Sequence, residues 1–462
     1  MTRSYMTPAF VSGIAMDASA RPVSVDRLLA WRALCALSLH IPLGLLMHSL
    51  PAVATAHAVL TVAVGLWLAV SGRLDRVVYA AAYVAGSEVL WRMSGAAVFW
   101  ESGKYAILLM FVVAFLRLRA VRWRVLPVLY FALLLPSIAV VPYDLLSDVA
   151  RQQISFDLSG PATLAMSVLL LSQIRLGPRE WSNTVIALAG PLAGIMAVAV
   201  YNTITAPTIT FTLNANKVMS GGYGPNQVAT VLGLGAALTF FAGIEAERGV
   251  SFRWTMLGIA LAFAVQSALT FSRGGLYAAG GAIAVGSWYL LRRRRTRAQL
   301  LMGASVFSVT VALVILPALD RFTQGTLVAR FEMTDTSGRD ELVREDLRAF
   351  LAHPVTGLGP GGGYVSHARR EAAHTEFARL LGEHGLLGVG AVLVLLAMAF
   401  RGLQAAHTIP ERALIGGLLA WSFLTMAHSA MRVAAPSLAF GLAFAIPLRR
   451  DARPPVRARV AA

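Results

Sequence analysis

Apolar runs long enough to cross a bilayer recur from one end of this 462-residue chain to the other, with short hydrophilic gaps between them. That recurrence leaves little choice of fold. Hydrocarbon offers no water to an unpaired amide, so a spanning segment must bond its backbone within itself as a helix or close into a barrel. The runs lack the strand-length alternation a barrel needs, so the chain reads as all-α. The predicted fold is a polytopic integral membrane protein with about 12–14 transmembrane helices and one large periplasmic loop containing short helices.

The apolar segments lie near 29–49, 52–70, 77–99, 103–118, 125–142, 160–175, 183–206, 226–244, 254–271, 274–291, 299–319, 378–400, 412–430 and 432–448. The expected organisation is a cytoplasmic N-terminal segment at 1–28, transmembrane helices over 29–319, a periplasmic loop at 320–377, helices over 378–448 and a basic cytoplasmic tail at 449–462. Composition agrees: 57% apolar and 14% charged residues leave no separate soluble core. The first 28 residues lack an apolar stretch ending in a small-residue cleavage site, so no removable leader is expected. Cys35 is the one cysteine, which excludes a disulfide within the chain.

Forty Lys and Arg against 23 Asp and Glu give a formal charge of +17. In a soluble protein that excess would raise nucleic acid as a partner; here its placement points to membrane lipids instead, and no nucleic acid is expected. Alternate gaps fall into two sets. One holds twenty-five basic residues, including Arg117, Arg119, Arg122 and Arg124 in one gap and Arg292, Arg293, Arg294, Arg295 and Arg297 in another. The opposite short loops hold five: Lys104, Arg151, Lys217, Arg273 and Arg432. Cytoplasmic loops collect Lys and Arg, so both termini are predicted inside and the number of spans is even. The segment 320–377 departs from the pattern, with seven arginines between Arg321 and Arg370 on the external side. Long translocated loops obey the rule less strictly, but so many cations there still call for a reason.

Four stretches on that external side could carry chemistry. Ser272-Arg273-Gly274-Gly275 separates two spans, and an arginine beside a helix N-terminus suits a phosphate; it could equally cap a turn and reach lipid headgroups. Residues 337–351 have Leu342, Val343, Leu347, Phe350 and Leu351 at amphipathic-helix spacing, ending before Pro354. Arg339, Arg344 and Arg348 lie on it, the last two well placed to pair with Glu341, Glu345 or Asp346 on a solvated face. Gly357-Leu358-Gly359-Pro360-Gly361-Gly362-Gly363-Tyr364 is too glycine-dense for regular structure and lacks the lysine of a P-loop, leaving close backbone approach to a ligand or a flexible turn. His374 sits where the loop re-enters the membrane, an available base near Glu371 and Glu376, or a surface histidine.

Taken in order, Ser-Arg-Gly-Gly between spans, a large external loop with Gly338-Arg339 and His353-Pro354-Val355-Thr356-Gly357-Leu358-Gly359-Pro360-Gly361, and a closing His374-Thr375-Glu376-Phe377…Glu383-His384-Gly385-Leu386-Leu387-Gly388 make a set that resembles the bacterial O-antigen ligase and polymerase superfamily. Gly224-Pro225-Asn226-Gln227 looks like a weaker feature of the same family. The similarity covers roughly residues 210–400, and where many relatives have His-Asn this chain has His374-Thr375. The resemblance implies a GT-C type membrane glycosyltransferase, inverting and metal-independent, that takes a glycan from an undecaprenyl-diphosphate carrier at the periplasmic face. It carries the family's functional arginines onto Arg273 and Arg339 and its histidine onto His374. Arg344, Arg348, Asn226, Gly359 and Gly361 are lesser candidates for holding the diphosphate or shaping its field. Arg321, Arg330, Arg369 and Arg370 would add to that field.

No cofactor or metal is expected, the loop having no Asp-x-Asp pair among its nine scattered carboxylates. Expected partners are the lipid-linked donor, a lipid A–core or growing-polysaccharide acceptor, membrane lipids and a polysaccharide export machine. Ligase and polymerase are not separated by these motifs. A lipid-linked glycan flippase would suit the span count but should show duplicated halves and mid-membrane polar residues; a non-catalytic export subunit would leave Arg273, Arg339 and His374 replaceable. Glu88 and Arg92, four apart inside a span, read as a neutralised bracing pair. His40, His48 and His428 are too isolated to assign, and Gly382, Gly385 and Gly388 read as close helix packing.

Overall fold

A computed structural model describes residues 23–445 apart from 143, 146, 245–248, 334–337 and 369. The basic tail, Ser337, Arg248, Arg369 and the N-terminal segment through residue 22 lie outside the described residues. Among those described there is no strand. The chain runs α1 (Val23–Ser49), α2 (Pro51–Val70), α3 (Leu74–Met93), α4 (Ser102–Leu116), α5 (Val125–Ala132), α6 (Asp148–Leu171), α7 (Pro178–Thr205), α8 (Pro225–Ile244), α9 (Val250–Leu269), α10 (Arg273–Leu290), α11 (Arg294–Thr310), α12 (Leu316–Phe322), α13 (Thr326–Glu332), α14 (Arg339–Ala352), α15 (Gly362–Ser366), α16 (Glu376–Gln404), α17 (Ile409–Ser429) and α18 (Ala435–Leu442).

Each apolar segment of the sequence contains helix, and eight of the described helical segments are long and apolar enough to cross a membrane by length and composition. The protein is thus an all-helical, polytopic membrane protein. Two segments are less regular than their hydropathy suggests. After α5 the chain turns through a 3-10 segment, Pro136–Val140, because Pro136 lacks the amide a continuing α-helix needs. A π-helical segment, Val311–Ile315, joins α11 to α12, and among the described side chains from Leu300 to Phe322 none is fully buried.

Alternate gaps meet at opposite ends of the bundle. At one end the Arg122 amide donates to Gln173 Oε1 over 3.0 Å and the Gly249 amide to Asp26 Oδ2 over 2.7 Å, joining gaps of the arginine-rich set. At the other end α3, α8 and the turn after α17 are tied together by one buried ion pair. Arg92 Nη2 lies 2.5 Å from Glu88 Oε1, and its Nη1 donates to Gln227 Oε1 over 2.7 Å and to the Arg432 carbonyl over 3.2 Å. Glu88 Oε2 accepts the Ala434 amide at 2.7 Å, and Trp100 covers the guanidinium face at 4.3 Å. Glu88 and Arg92 therefore do brace helices, and they do so at the edge of the site.

The glycine-rich loop docks into a break in α16. At Gly385 the backbone leaves the helix (φ 58°, ψ −137°), which strands carbonyls of the preceding turn. Loop amides take them up: Leu358 donates to the Gly382 carbonyl over 3.0 Å and Gly359 to that of Glu383 over 2.9 Å. A side chain at Gly357 (φ +67°) would place its Cβ 2.3 Å from the Glu383 backbone, so contact at this distance requires glycine. The Gly382, Gly385, Gly388 spacing thus marks a broken helix closed by a loop, not a seam between two spans. Periodicity could not show this, because a break and a packing face use the same small residues.

Two outcomes follow. In a chain with Cys35 replaced, an impermeant thiol reagent applied from outside should label a cysteine at exposed Leu351, and label one at Arg119 only after permeabilisation; the reverse would overturn the orientation. Arg92→Met should cost about 3–5 kcal/mol by leaving Glu88 buried without its cation, and Glu88→Gln added to it should recover part of the lost thermal stability.

Candidate functional site

Three helix starts converge on one cavity of about 820 Å³: α8 at Asn226, α10 at Ser272, Arg273 and Gly274, and α14 at Arg339. Each start brings the positive end of a helix dipole. Arg330 of α13, His374 of the re-entering loop and His428 of α17 complete the charged and titratable lining, and Tyr277, Ala278, Leu424 and Ala427 form an apolar side. Tyr277 and Leu424 are exposed at the bundle surface, so the apolar side borders the region that lipid would occupy.

Local structure fixes the arginine-bearing turn. Phe271 is fully buried with φ +59°, a conformation an aromatic residue rarely takes, and it is held there by Phe211, Met219 and Leu327. That kink ends α9 and starts α10 two residues later. Ser272 Oγ donates to Asn226 Oδ1 over 2.8 Å, fastening the start of α10 to that of α8. A Cβ on Gly275 would lie 2.1 Å from the Ala229 carbonyl, and one on Gly274 would lie 2.4 Å from His428 Nδ1. Both glycines are therefore demanded by close approach, the second by a histidine ring. Arg273 Nη1 donates to the Met333 carbonyl at the end of α13, and Arg330 Nε reaches the Phe271 carbonyl over 3.5 Å.

The electrostatics follow from crowding cations. Burial, then the neighbouring Arg273 and Arg330, draws the Arg339 pKa below its usual value; a guanidinium remains charged all the same. Half-buried His374 is pushed down to about 3, first by burial and then by the positive charges of Arg432 and Arg339 and by His428. In this state its imidazole is neutral at physiological pH, with a lone pair free for a proton. The cavity gathers three arginine side chains beside a neutral base, a setting that suits a polyanion.

Of the residues singled out in the sequence, Arg273, Arg339, His374 and Asn226 line this cavity, as does Arg330. Arg344 and Arg348 do not. Both are exposed, and Arg344 pairs with Asp340 at 3.0 Å one turn back. Gly359 and Gly361 also lie away from it: Gly359 packs on Val141, and the Gly361 amide donates to Glu383 Oε1 over 3.1 Å. Their conformational freedom serves the dock into α16. Behind that dock Arg379 gathers three buried carboxylates, Glu376 at 2.5 Å, Glu383 at 2.9 Å and Asp157 at 3.4 Å, around a void of about 20 Å³. Among the described residues no three His, Asp or Glu side chains are placed to hold a metal ion.

Sequence reasoning missed His428. Its Nε2 is buried with no hydrogen-bond partner among the described residues, and it shares the cavity with His374. A lone histidine near the end of a span carries no signal by itself; the glycine at 274, which makes room for the ring, is 154 positions away.

Residues 257–393 match the family model described as O-antigen ligase. The match runs from within α9 to within α16 and takes in Arg273, Arg330, Arg339 and His374, while Asn226 and His428 lie outside it. The resemblance to the O-antigen ligase and polymerase superfamily is borne out by that match. No curated protein matches the chain.

The loop that carries His374 is itself pinned by a pH-sensitive pair. His367 Nε2 lies 2.8 Å from Asp346 Oδ1, both fully buried, and His367 Nδ1 meets the Glu371 carbonyl at 2.7 Å. Burial disfavours the imidazolium, but these contacts outweigh it and raise the His367 pKa. A raised pKa gives stability that is complete below the unfolded value and lost as pH climbs through the folded one. Thermal stability should therefore fall from about pH 6 upward through the raised pKa, and Asp346→Asn should flatten that dependence; a wild-type melting profile level across that range would refute it.

Proposed function

We propose that this chain, which matches the O-antigen ligase family over residues 257–393, transfers a glycan from an undecaprenyl-diphosphate carrier to an acceptor hydroxyl at the periplasmic face of the inner membrane. One observation carries the reading: Arg273, Arg339 and His374, far apart in sequence, share a single cavity with three helix starts. The arginine count supports the orientation, since the arginine-rich gaps would face the cytoplasm.

The chemistry required is modest and the residues suit it. The acceptor oxygen attacks the anomeric carbon, the bond from that carbon to the phosphate oxygen breaks, and the diphosphate leaves with the electron pair. Arg273, Arg339 and the helix amides stabilise the charge that develops on the leaving oxygen. His374 takes the hydroxyl proton on its unprotonated nitrogen. Attack from the side opposite the diphosphate inverts the anomeric centre. The exposed apolar side of the cavity gives the polyprenyl chain a path into lipid while its headgroup sits among the cations.

A base with a pKa near 3 would be weak in the empty site. Bound diphosphate changes that: its negative charge offsets Arg339 and favours the imidazolium, so His374 gains basicity when there is a donor to react. The acceptor hydroxyl belongs to lipid A–core in a ligase and to a growing chain in a polymerase.

Purified protein in lipid, supplied with an undecaprenyl-diphosphate glycan and both acceptors and no added metal, should give an inverted linkage to one of them. Arg273→Ala and Arg339→Ala should each lower kcat by about 10²–10³-fold, and His374→Ala by roughly 10²–10⁴-fold. Full turnover by all three variants at normal expression would end the assignment.

A further inference from the structure

His374 has a backbone clamp that lies outside the matched segment. Arg432 occupies the short turn between α17 and α18, after Ala430, whose φ of +50° and ψ of −163° end α17 abruptly. Its Nη2 donates to the carbonyls of Ala372, over 2.9 Å, and Ala373, over 3.1 Å, the two residues directly before His374. The turn is anchored on both flanks. Arg92 donates to the Arg432 carbonyl and Glu88 accepts the Ala434 amide on one side, while the Met431 amide donates to Glu376 Oε2 over 3.3 Å on the other.

An arginine with two donors on successive carbonyls fixes the direction in which the next side chain leaves the backbone. The same guanidinium is the leading charge acting on the imidazole. The groups facing His374 are Arg339 from α14, His428 from α17 and Arg432; those facing Arg432 are Asp157, Glu371 and Arg339. Among the described residues the leading charges acting on His374 are cationic, so they disfavour the imidazolium. We propose that Arg432 is a positioning residue for His374, clamping the backbone ahead of it and setting a positive charge beside its ring until an anion enters the cavity. The positioning claim concerns one side chain acting on another; the assignment of His374 as the base rests on the function proposed above.

The test reads His374 directly, by 15N-histidine NMR of the full chain in nanodiscs, with the signal assigned by its loss in His374→Gln. Arg432→Gln should raise the titration midpoint of His374 by about one unit, and Arg432→Lys, which keeps the charge but not the reach and planar placing of Nη2, should leave it near the wild-type position. Arg119→Gln, removing an exposed charge from the arginine-rich end of the bundle, should not move it. Inorganic pyrophosphate should raise the wild-type midpoint. In the transfer assay Arg432→Lys should lower kcat by roughly 10-fold or more with KM for the donor little changed, because the base is misaimed while the anion site is intact.

An unchanged midpoint in a folded Arg432→Gln protein overturns the proposal. Should that variant fail to fold, wild-type kcat in Arg432→Lys overturns it instead. A shifted midpoint in a chain that transfers no glycan from any diphosphate donor leaves the positioning intact and removes the proposed function.

Discussion

A medium of low dielectric does not tolerate an uncompensated charge, and this protein places many charged groups within or beside one. Those at the back of the site are compensated side chain to side chain. Glu88 and Arg92 form one such pair, and Arg379 is met by Asp157, Glu376 and Glu383, three acids around one cation. Those nearer the cavity lean on the backbone. Arg273 donates to the Met333 carbonyl and Arg432 to the carbonyls of Ala372 and Ala373. A carbonyl is a dipole, so these bonds orient a guanidinium without themselves cancelling its charge.

Much of this was legible in the linear chain, for a physical reason. The bilayer imposes a length and a polarity on every span, so helices such as α7 and α8 begin and end within a few residues of their apolar limits. Arg273 could be singled out because it stands at a helix start marked by glycines, a local signal, while Arg339 and Asn226 were reached through the resemblance. What stayed hidden depends on tertiary approach. His428 and Arg432 look like ordinary residues at the end of a span, and their importance lies in neighbours 50 to 150 positions away. The glycine-rich loop was visible as unusual, but its partner was not, since carbonyls exposed by a broken helix leave no trace in side-chain identity.

The two halves of the site answer to different parts of the chain. The matched segment supplies the arginines, the histidine and the loop that bears it. The flanking helices supply the frame: α3 holds the turn after α17, and that turn holds the backbone before His374. Strain collects at the joints. Phe271, Arg370 and Ala430 each take positive φ without being glycine, and each sits within a few residues of Arg273, His374 or Arg432. Phe271 and Ala430 are buried, and packing around them meets a local cost of order 1–3 kcal/mol apiece.

The interrupted helix α16 bears on how the protein is assembled. The carbonyls of Gly382 and Glu383 wait for the amides of Leu358 and Gly359, which precede them in the chain by some two dozen residues. During synthesis the loop must therefore have left the membrane and be within reach before the first turns of α16 can close. Insertion and folding are coupled at this point: a chain whose loop is delayed would present an unfinished helix to proteases that survey the bilayer surface, and only a completed traverse would remove it from their view.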